Sequence, residues 1–374
     1  MSTLQDIILR NKDVEHIMLA SCQYGFHRFG KRNPEKLFCM LVTTDVHRCE
    51  KQLDSAIEYL NHYEAIDCGI CLGDMQGANY SESDGTWYTN AVNRSQKEFY
   101  TVLGNHDLGN SIDSKISATP KMAFDKFIRP VKERIGIADL ETPYYAKTFE
   151  EYKIVLIVLN AYDMPDTLDE QENYKFHRGL ETFSQEQLDW LIATLGNVEK
   201  GYHVMIAMHD FRDRRKSISC SWTQAEAEMD NRQDPPVYGN VHILPTIVNA
   251  WINGEKLMME YASRRQGLSA LKIDCDFTAR GKGDFICYLC GHHHMDIMAV
   301  DAKYQTQHIV YLASSAMDLW QNFECDLPRE TGTKAEDLLT TISVHTKKRQ
   351  IRLVRIGSNY TMDLKERTSI VLDY

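Results

Sequence analysis

Residues 38–47 read Phe-Cys-Met-Leu-Val-Thr-Thr-Asp-Val-His, and this stretch decides the fold of the chain. Its first six side chains are apolar or β-branched, which predicts a strand buried on both faces, as in the sheets of α/β proteins. Directly after the strand come a carboxylate, Asp45, and an imidazole, His47. Open α/β sheets build their sites at the carboxyl ends of their strands. We therefore expect these two side chains to belong to a functional site.

Four more strand-like runs end in polar residues of the same kinds. Each delivers a carboxylate, an imidazole or a side-chain amide at the point where the strand would end. No single motif is specific, because Gly-Asp, for example, is commonly a turn. Together with Asp45 and His47, however, they predict one shared metal site. The four motifs are Gly73-Asp74, Gly104-Asn105-His106-Asp107, His209 and Gly291-His292-His293-His294.

Strand-like and helix-like stretches alternate along the chain, which predicts an α/β layered fold. The Ser-x-x-Gln pattern at Ser184 predicts a capping box at a helix start, and residues 119–135 are predicted to form a surface helix. Further helices are predicted at residues 49–63 and 245–253. Strands are predicted at residues 38–43, 68–72, 99–103, 144–149, 152–159, 203–208, 285–290, 309–313, 341–344 and 351–356.

The 374 residues are sufficient for one large domain, and we expect a single domain spanning residues 1–374. Residues 210–283 interrupt the alternation with a basic cluster, an acidic run and a Pro-Pro pair. We interpret them as a cap-like insertion beside the site. Residues 335–374 are predicted to complete the fold with C-terminal strands.

The charge balance argues against general binding to nucleic acids or membranes. The chain has 42 Lys and Arg residues against 53 Asp and Glu residues, a net charge of −11, whereas binding to polyanions needs a basic face. The first residues lack the pattern of a signal peptide, and apolar runs such as residues 154–159 are too short to span a bilayer. We expect a cytoplasmic protein. Its oligomeric state cannot be read from the sequence.

Two Cys-x-x-Cys pairs suggest a zinc site, but their context argues against it. Cys68 and Cys71, like Cys287 and Cys290, lie in predicted strands. A three-residue offset in a strand sends two side chains to opposite faces, whereas one tetrahedral zinc ion needs them to converge. We interpret these cysteines as reduced, buried thiols.

The polar motifs supply donors for two divalent cations. Carboxylates and imidazoles suit Mn²⁺, Fe²⁺ or Zn²⁺, and we favour Mn²⁺. Asp45 and His47 can converge on one ion, and the two oxygens of Asp74 can bridge two ions. Two neighbouring cations acidify a bound water and clamp the oxygens of an in-line displacement, which suits phosphate esters. The remaining donors are Asn105, His209, His292 and His294.

Other residues of the motifs are candidates for direct roles in catalysis. His106 is placed to protonate the leaving alkoxide as a general acid, and Asp107 is expected to orient the His106 imidazole and favour its protonated form. Arg212 follows His209 closely and is a candidate for binding a substrate phosphate. His293 is expected to line the pocket, where it could contact substrate, rather than to bind a metal.

The motifs resemble the pattern of the calcineurin-like metallophosphoesterases, which is D-x-H, G-D, G-N-H-[DE], H and G-H-x-H. The resemblance runs from about residue 38 to residue 313. It implies a four-layer αββα sandwich with two metal ions at the sheet edge, and it implies the roles of His106 and Asp107 given above. It also implies which residues bind each ion. These are Asp45, His47, Asp74 and His294 for the first ion, and the bridging Asp74, Asn105, His209 and His292 for the second.

The motifs of this chain differ from those of two related families, the phosphoprotein phosphatases and the purple acid phosphatases. Phosphoprotein phosphatases extend the second motif to G-D-x-V-D-R-G and end the third in Glu, whereas this chain reads Gly73-Asp74-Met75-Gln76-Gly77 and ends the third motif in Asp107. Purple acid phosphatases place a Tyr ligand three residues after the second-motif Asp, where this chain has Gly77. These departures argue against a protein phosphatase and against a Tyr-bound ferric ion.

The expected function is hydrolysis of a small phosphorylated substrate, a phosphomonoester or a phosphodiester, by a metal-bound hydroxide. A metal-dependent nuclease and a non-catalytic, metal-stabilised binding scaffold are the alternatives. The acidic charge balance argues against a nuclease. Because the chain keeps every ligand and His106, an enzyme is favoured over a scaffold.

Overall fold

The computed structural model describes residues 4–24, 35–77, 84–108, 120–163, 165, 182–211, 215–220, 243–262, 268–316, 329–358 and 368–374. Its strands are β1 (Gln23–Tyr24), β2 (Glu35–Lys36), β3 (Phe38–Thr43), β4 (Cys68–Cys71), β5 (Phe99–Thr101), β6 (Tyr145–Phe149), β7 (Ile154–Val158), β8 (His203–Ala207), β9 (Arg215–Cys220), β10 (Lys256–Tyr261), β11 (Leu271–Asp276), β12 (Asp284–Cys290), β13 (Ile297–Asp301), β14 (His308–Tyr311), β15 (Leu338–His345), β16 (Gln350–Gly357) and β17 (Ser369–Asp373). Its α-helices are α1 (Leu4–Arg10), α2 (Lys12–Ser21), α3 (Glu50–His62), α4 (Asp84–Asn93), α5 (Pro120–Ala123), α6 (Arg129–Arg134), α7 (Gln185–Asn197) and α8 (Ile243–Asn253).

One sheet has six strands in the order β17-β16-β15-β3-β4-β5. Strands β3, β4 and β5 run parallel, while β15, β16 and β17 add antiparallel neighbours on the other side of β3. All six residues of β3 are buried, as the unbroken apolar run predicted. The C-terminal strands predicted within residues 335–374 are therefore part of this sheet.

The second sheet has seven strands in the order β6-β7-β8-β12-β14-β13-β9. Strands β7, β8, β12 and β14 run parallel, and β6 and β7 form the predicted antiparallel hairpin. The carboxyl ends of the parallel strands of one sheet lie at the same edge. This edge carries the residues after β8 and β12, and in the other sheet the corresponding edge carries those after β3, β4 and β5.

The two sheets pack against each other through aromatic and buried polar contacts. The rings of Phe38 and Phe149 have centroids 4.6 Å apart, and the Tyr145 hydroxyl donates to the carbonyl of Thr101 at 2.9 Å. On the outer faces, α3 packs on β3 and β4, and α7 packs against α8. The amphipathic pattern of α3 explains its place, since Leu53 is among the side chains that it buries. The predicted αββα layering is confirmed.

The surface helix predicted at residues 119–135 forms over residues 120–134, with one departure from a regular α-helix. Helix α5 passes through a π-helical turn, Phe124–Ile128, before it continues as α6. The segment also buries Phe124 and Phe127 completely or nearly so, so that one face belongs to the core. This face packs against the core because the apolar side chains lie together on it.

The capping box predicted at Ser184 forms in one of its two halves. The Ser184 hydroxyl accepts a hydrogen bond from the Gln187 backbone N–H at 3.0 Å, which caps α7. The Gln187 side chain does not return to the helix start. Its amide instead donates to the carbonyl of Asn160 at 2.9 Å and accepts from the Asn160 N–H at 2.8 Å, which ties α7 to the loop after β7.

The described part of residues 210–283 contains strands at a sheet edge, a helix and a separate strand pair. Strand β9 pairs with β13 at the edge of the seven-stranded sheet, α8 packs against α7, and β10 and β11 form a separate antiparallel pair. The division of the chain into one domain with a cap-like insertion stays a prediction. In the parts of the chain that the structure describes, no helix is both long enough and apolar enough to cross a membrane.

Candidate metal centre

The polar motifs of the sequence meet where the two sheets bring their strand ends together. The loops after β3, β4 and β5 come from one sheet, and those after β8 and β12 from the other. The backbone N–H of Asp45 donates to the carbonyl of Gly73, and that of Gly291 donates to the carbonyl of His209. The predicted ligands on these loops are Asp45, His47, Asp74, Asn105, His209, His292 and His294.

One set of side chains, the first donor group, consists of Asp45, His47, Asp74 and His294. One donor atom from each lies within 4.8 Å of all the others. Nε2 of His294 is 3.0 Å from Nε2 of His47 and 3.3 Å from Oδ1 of Asp45. Both carboxylates are buried, so these donors converge in a space that is largely closed to water.

The second donor group consists of Asp74, His209 and His292, whose donor atoms also lie within 4.8 Å of one another. Nε2 of His209 is 3.2 Å from Oδ2 of Asp74. The side-chain oxygen of Asn105 lies against this group, 2.9 Å from Nδ1 of His292 and 3.2 Å from Nε2 of His209. Asp74 belongs to both groups, so that one carboxylate stands between two sets of donors.

Hydrogen bonds to the backbone fix the orientation of two of the imidazoles. Nδ1 of His47 lies 2.9 Å from the carbonyl of Gln76, and Nδ1 of His209 lies 2.7 Å from the carbonyl of Leu72. A carbonyl only accepts, so both Nδ1 atoms carry a proton. In the neutral imidazole, Nε2 then presents its lone pair to the donor group.

The backbone at the site adopts left-handed conformations that side chains other than glycine rarely take. The angle φ is +48° at Asp45, +42° at His47, +53° at Asp74, +67° at His292 and +56° at His294. Each such residue costs on the order of 1–3 kcal/mol. Strained residues of this kind cluster at functional sites, where the surrounding structure holds them in place.

Glycines allow the loops to approach one another closely. A Cβ atom on Gly104 would lie 2.2 Å from Oδ1 of Asp74, and one on Gly291 would lie 2.0 Å from Oγ1 of Thr44. Neither distance is compatible with a side chain. These two motif glycines are therefore required by contact between loops rather than by their own backbone angles.

The buried charges shift one another's pKa values. Burial alone would raise the pKa of Asp74, but the charges of His209 and His106 outweigh it and hold that pKa well below its usual value. Burial would lower the pKa of His209, but the charges of Asp74 and Asp45 raise it to about 10. Burial dominates at His47 and lowers its pKa to about 4. Without a cation, a protonated His209 therefore contributes positive charge to the site.

The predicted role of Asp107 as the partner of the His106 imidazole was wrong. The Asp107 carboxylate is fully buried and accepts backbone N–H groups of Asp74 (3.0 Å), Gln76 (3.1 Å) and Gly104 (2.8 Å). It thus ties together the loops after β4 and β5. Burial, followed by the charge of Asp74, raises its pKa to about 8.

The His106 imidazole lies at the open side of the site. Its Nε2 is 4.0 Å from Oδ2 of Asp74, and 20% of the side chain is exposed to solvent. Nδ1 is buried and has no hydrogen-bond partner within the described ranges. The backbone N–H of His106 donates to Oδ1 of Asp74 at 2.8 Å, which holds the residue beside the shared carboxylate.

The remaining predicted residues lie as follows. His293 packs edge-on against Tyr311, with ring centroids 4.8 Å apart, and its Nε2 is 3.6 Å from Oδ1 of Asp210. It belongs to neither donor group. His203 lies at the start of β8, at the end of the strand opposite to His209, and contacts Tyr374 there. Arg212 lies outside the described residues, and its contact with a substrate phosphate stays a prediction.

Sequence reasoning missed two residues that support the ligands. The Thr44 hydroxyl donates to Oδ2 of Asp45 at 2.6 Å, and the Asp210 carboxylate lies 3.4 Å from Nε2 of His292. Each is the direct neighbour of a predicted ligand in the sequence. Their position next to a ligand in the sequence was the available signal. Hydroxyl and carboxylate side chains are so common at such positions that the signal does not indicate a supporting role.

The donor set fits divalent cations. Each group combines carboxylate oxygen with imidazole nitrogen, the mixture that suits Mn²⁺, Fe²⁺ or Zn²⁺. The donors come from five loops, are mostly buried, and are held in strained backbone conformations. Lone pairs and negative charge converge at both groups, and a cation compensates such an arrangement directly.

The chain belongs to the calcineurin-like phosphoesterase family, whose family model matches residues 40–296. The predicted membership is thereby confirmed. The matched residues include every predicted ligand, from Asp45 to His294. No curated protein matches the chain with significance.

Several solved structures match the chain at low sequence identity. A purple acid phosphatase from yellow lupin seeds is 11% identical with a TM-score of 0.48, and the match covers 91% of this chain and 54% of the lupin chain. The chain thus spans about half the length of that enzyme. The phosphopantetheinyl hydrolase of Mycobacterium tuberculosis is 13% identical with a TM-score of 0.38, covering 74% and 90%. A Sphaerobacter thermophilus metallophosphoesterase is 9% identical with a TM-score of 0.32, covering 86% and 89%. No conclusion about the substrate follows from these likenesses.

Proposed function

We propose that this protein hydrolyses a phosphate ester of a small phosphorylated substrate with two divalent cations at the candidate metal centre. The observation that carries the proposal is the position of Asp74, whose carboxylate is shared by two donor groups. A single-ion site needs only one such group. Two ions that share one carboxylate have the arrangement used for in-line displacement at phosphorus.

The residues have separate roles in this proposal. Asp45, His47 and His294 would hold the first cation, and Asn105, His209 and His292 the second, with Asp74 common to both. When bound, the cations supply Lewis-acid polarisation of the phosphoryl oxygens and acidify water. We favour Mn²⁺ because oxygen donors accompany the imidazoles in both groups.

His106 is proposed to protonate the departing alkoxide. Its Nε2 lies 4.0 Å from Asp74, and its ring stands edge-on to that of His47 with centroids 4.9 Å apart. It is therefore beside the donors and partly open to solvent, where a substrate can reach it. A general acid must lie within hydrogen-bond reach of the leaving oxygen, and this position supports that role.

The small-substrate proposal is supported by the acidic character of the chain. A net charge of −11 does not attract a long polyanion, whereas a compact phosphate meets the local positive charge of two cations. The choice between a monoester and a diester depends on the shape of the surrounding loops. An assay therefore has to include both classes.

The test is a substrate panel on protein of known metal content. Chelator-stripped protein is reloaded with Mn²⁺, its manganese is counted by elemental analysis, and turnover is measured on phosphomonoesters, phosphodiesters and linear DNA. We expect two ions per chain and turnover of at least one small ester. Inactivity on every small ester with two ions bound, or cleavage of DNA alone, would contradict the proposal. The variant His203→Gln, altered at the far end of β8, controls for the effects of substitution.

A further inference from the structure

Asp210 is a buried carboxylate that the proposed hydrolysis does not use. It follows His209 directly and is fully shielded from solvent. Its Oδ1 accepts two hydrogen bonds, from the Phe211 N–H at 2.7 Å and from the Tyr311 hydroxyl at 2.9 Å. Tyr311 is the last residue of β14. The carboxylate is therefore held by its own loop after β8 and by β14, the two strands that flank β12 in the seven-stranded sheet.

With its Oδ1 held in this way, Asp210 directs its Oδ2 at His292, a predicted ligand. Oδ2 of Asp210 lies 3.4 Å from Nε2 of His292. The opposite nitrogen of that ring, Nδ1, lies 2.9 Å from the side-chain oxygen of Asn105 in the second donor group. With a cation bound in the second donor group, Nδ1 would present its lone pair to it, and the carboxylate beside Nε2 would hold the ring proton there.

This anchoring differs from that of His47 and His209. Backbone carbonyls hold His47 and His209, and a carbonyl fixes the ring without adding a charge. A carboxylate behind a metal-binding imidazole also increases its strength as a ligand. Of these three imidazoles, His292 is the one whose outer nitrogen faces a carboxylate, and it belongs to the second donor group only.

We propose that Asp210 is a positioning residue that sets the cation affinity of the second donor group through His292, while the first donor group does not depend on it. The inference rests on the proposed function, because it requires two bound cations. The carboxylate cannot easily rotate away from His292, since Tyr311 and Phe211 occupy its other oxygen and the His293 ring packs edge-on against Tyr311.

The substitution Asp210→Asn tests the proposal with little change in shape. The amide oxygen can still accept from Phe211 and Tyr311, so the amide NH₂ then faces Nε2 of His292. That nitrogen must become the acceptor, the ring proton moves to Nδ1, and its lone pair is lost to the cation. We expect the affinity for the second Mn²⁺ to fall by roughly 10–100-fold, with the first Mn²⁺ bound as in the unaltered protein.

The readout is metal binding rather than turnover. Chelator-stripped protein is titrated with Mn²⁺ under equilibrium dialysis, and electron paramagnetic resonance follows the spectrum of two coupled Mn²⁺ ions. In Asp210→Asn the coupled spectrum should require 10–100-fold more free Mn²⁺. Two ions bound with unaltered affinities would overturn the proposal, as would an equal loss at both sites.

Asp301→Asn is the matched control. Asp301 is also fully buried, and its Oδ1 likewise accepts two hydrogen bonds, from Lys303 N–H and Tyr304 N–H. It ends β13, which runs antiparallel to β14, so it lies at the opposite edge of the sheet. We expect unaltered Mn²⁺ binding in this variant, and a loss equal to that of Asp210→Asn would overturn the proposal.

A second variant keeps the proposal testable if Asp210→Asn does not fold. Tyr311→Phe removes one donor to Oδ1 and should weaken binding of the second Mn²⁺ several-fold, with folding checked by circular dichroism. Unaltered binding in folded Tyr311→Phe would then overturn the proposal. If the unaltered protein binds fewer than two cations, the proposed function fails. If it binds two and the variants do also, only the role of Asp210 fails.

Discussion

Buried charge is handled differently in two regions of the molecule. On β16 of the six-stranded sheet, Nη2 of Arg355 lies 2.6 Å from Oδ1 of Asp296, and both side chains are fully buried. Nε of Arg355 also donates to the Thr340 hydroxyl at 3.0 Å, and the Ala313 N–H donates to Asp296. At the metal centre, by contrast, carboxylates and imidazoles converge on shared space.

At Arg355 and Asp296, the opposite charges compensate each other once the chain has folded. At the metal centre, they do so only with added protons or cations. Arg355 keeps its charge because a guanidinium does not lose its proton in proteins, and this charge partly offsets the burial that raises the pKa of Asp296. At the metal centre, neutrality requires protons on histidines such as His209, whose pKa is raised to about 10, or bound cations. The first region should therefore determine stability, and the second should determine metal binding and turnover.

The largest expected effect follows the removal of the shared carboxylate. Asp74→Asn should prevent binding of both cations and reduce turnover on the order of 10³-fold or more, because metal ions supply several kcal/mol of transition-state stabilisation. Elemental analysis and kcat/KM on the best ester check this. Loss of one ion only would show that Asp74 does not serve both groups. Asp276→Asn, which alters an exposed carboxylate at the end of β11, is the control.

His106→Ala should separate the chemical step from metal binding. We expect turnover to fall by roughly 10²–10⁴-fold, the usual contribution of a general acid, with both cations retained because His106 belongs to neither donor group. The loss should be smaller for an ester with a good leaving group, which needs less protonation. An equal loss for good and poor leaving groups would contradict the general-acid role.

Arg355→Met should reduce the stability of the fold rather than metal binding or turnover. Removing one partner of a buried ion pair leaves the other charge uncompensated, at a cost of about 3–5 kcal/mol in the free energy of unfolding. Denaturant unfolding of metal-free protein measures it. Arg94→Met, which breaks the exposed pair with Asp54, is the matched control and should cost less than about 1 kcal/mol. Similar losses for the two variants would contradict the comparison.

The smallest effect is the change in metal affinity over a single pH unit. In the cation-free protein, burial would lower the pKa values of His209 and His294, but the neighbouring carboxylates raise both above their usual value, so both imidazoles favour their protonated forms. A cation must displace these protons. Its affinity should rise with pH towards about pH 10, by at most about tenfold per pH unit for each proton displaced.

Calorimetric titration with Mn²⁺ in two buffers of different ionisation enthalpy measures the protons released. Release at pH 7 is expected, and an affinity that does not change between pH 6 and pH 9 would contradict the prediction. His203→Gln should leave the slope unchanged, because burial lowers the pKa of His203 and the residue lies at the far end of β8.

Much of the fold could be predicted because its signals are local. The buried strand β3 and the β6–β7 hairpin follow from short apolar runs, and the Ser184 cap follows from one hydroxyl at a helix start. The placement of β9 at the edge of the seven-stranded sheet could not be predicted. It depends on pairing with β13, which is distant in sequence, and β9 itself is a short polar strand.

At the site, the donor residues could be predicted but their supports could not. The motifs identify donors because each brings its chemistry in the same few residues. Asp107 was assigned to His106 because the two are adjacent, yet its carboxylate bonds to backbone N–H groups of two loops. Such partners are set by how loops meet in space. The same holds for Asp210, whose contact with His292 joins two strands.

The glycine contacts have a consequence for how such a protein can change. Since Gly104 leaves no room beside Asp74, and Gly291 none beside Thr44, the loops behave as interlocking parts. Transplanting one of them into another scaffold would bring a clash or a gap rather than a working ligand. Substitutions in neighbouring loops should therefore show strong epistasis, and redesign of the centre would have to exchange the loops as a set.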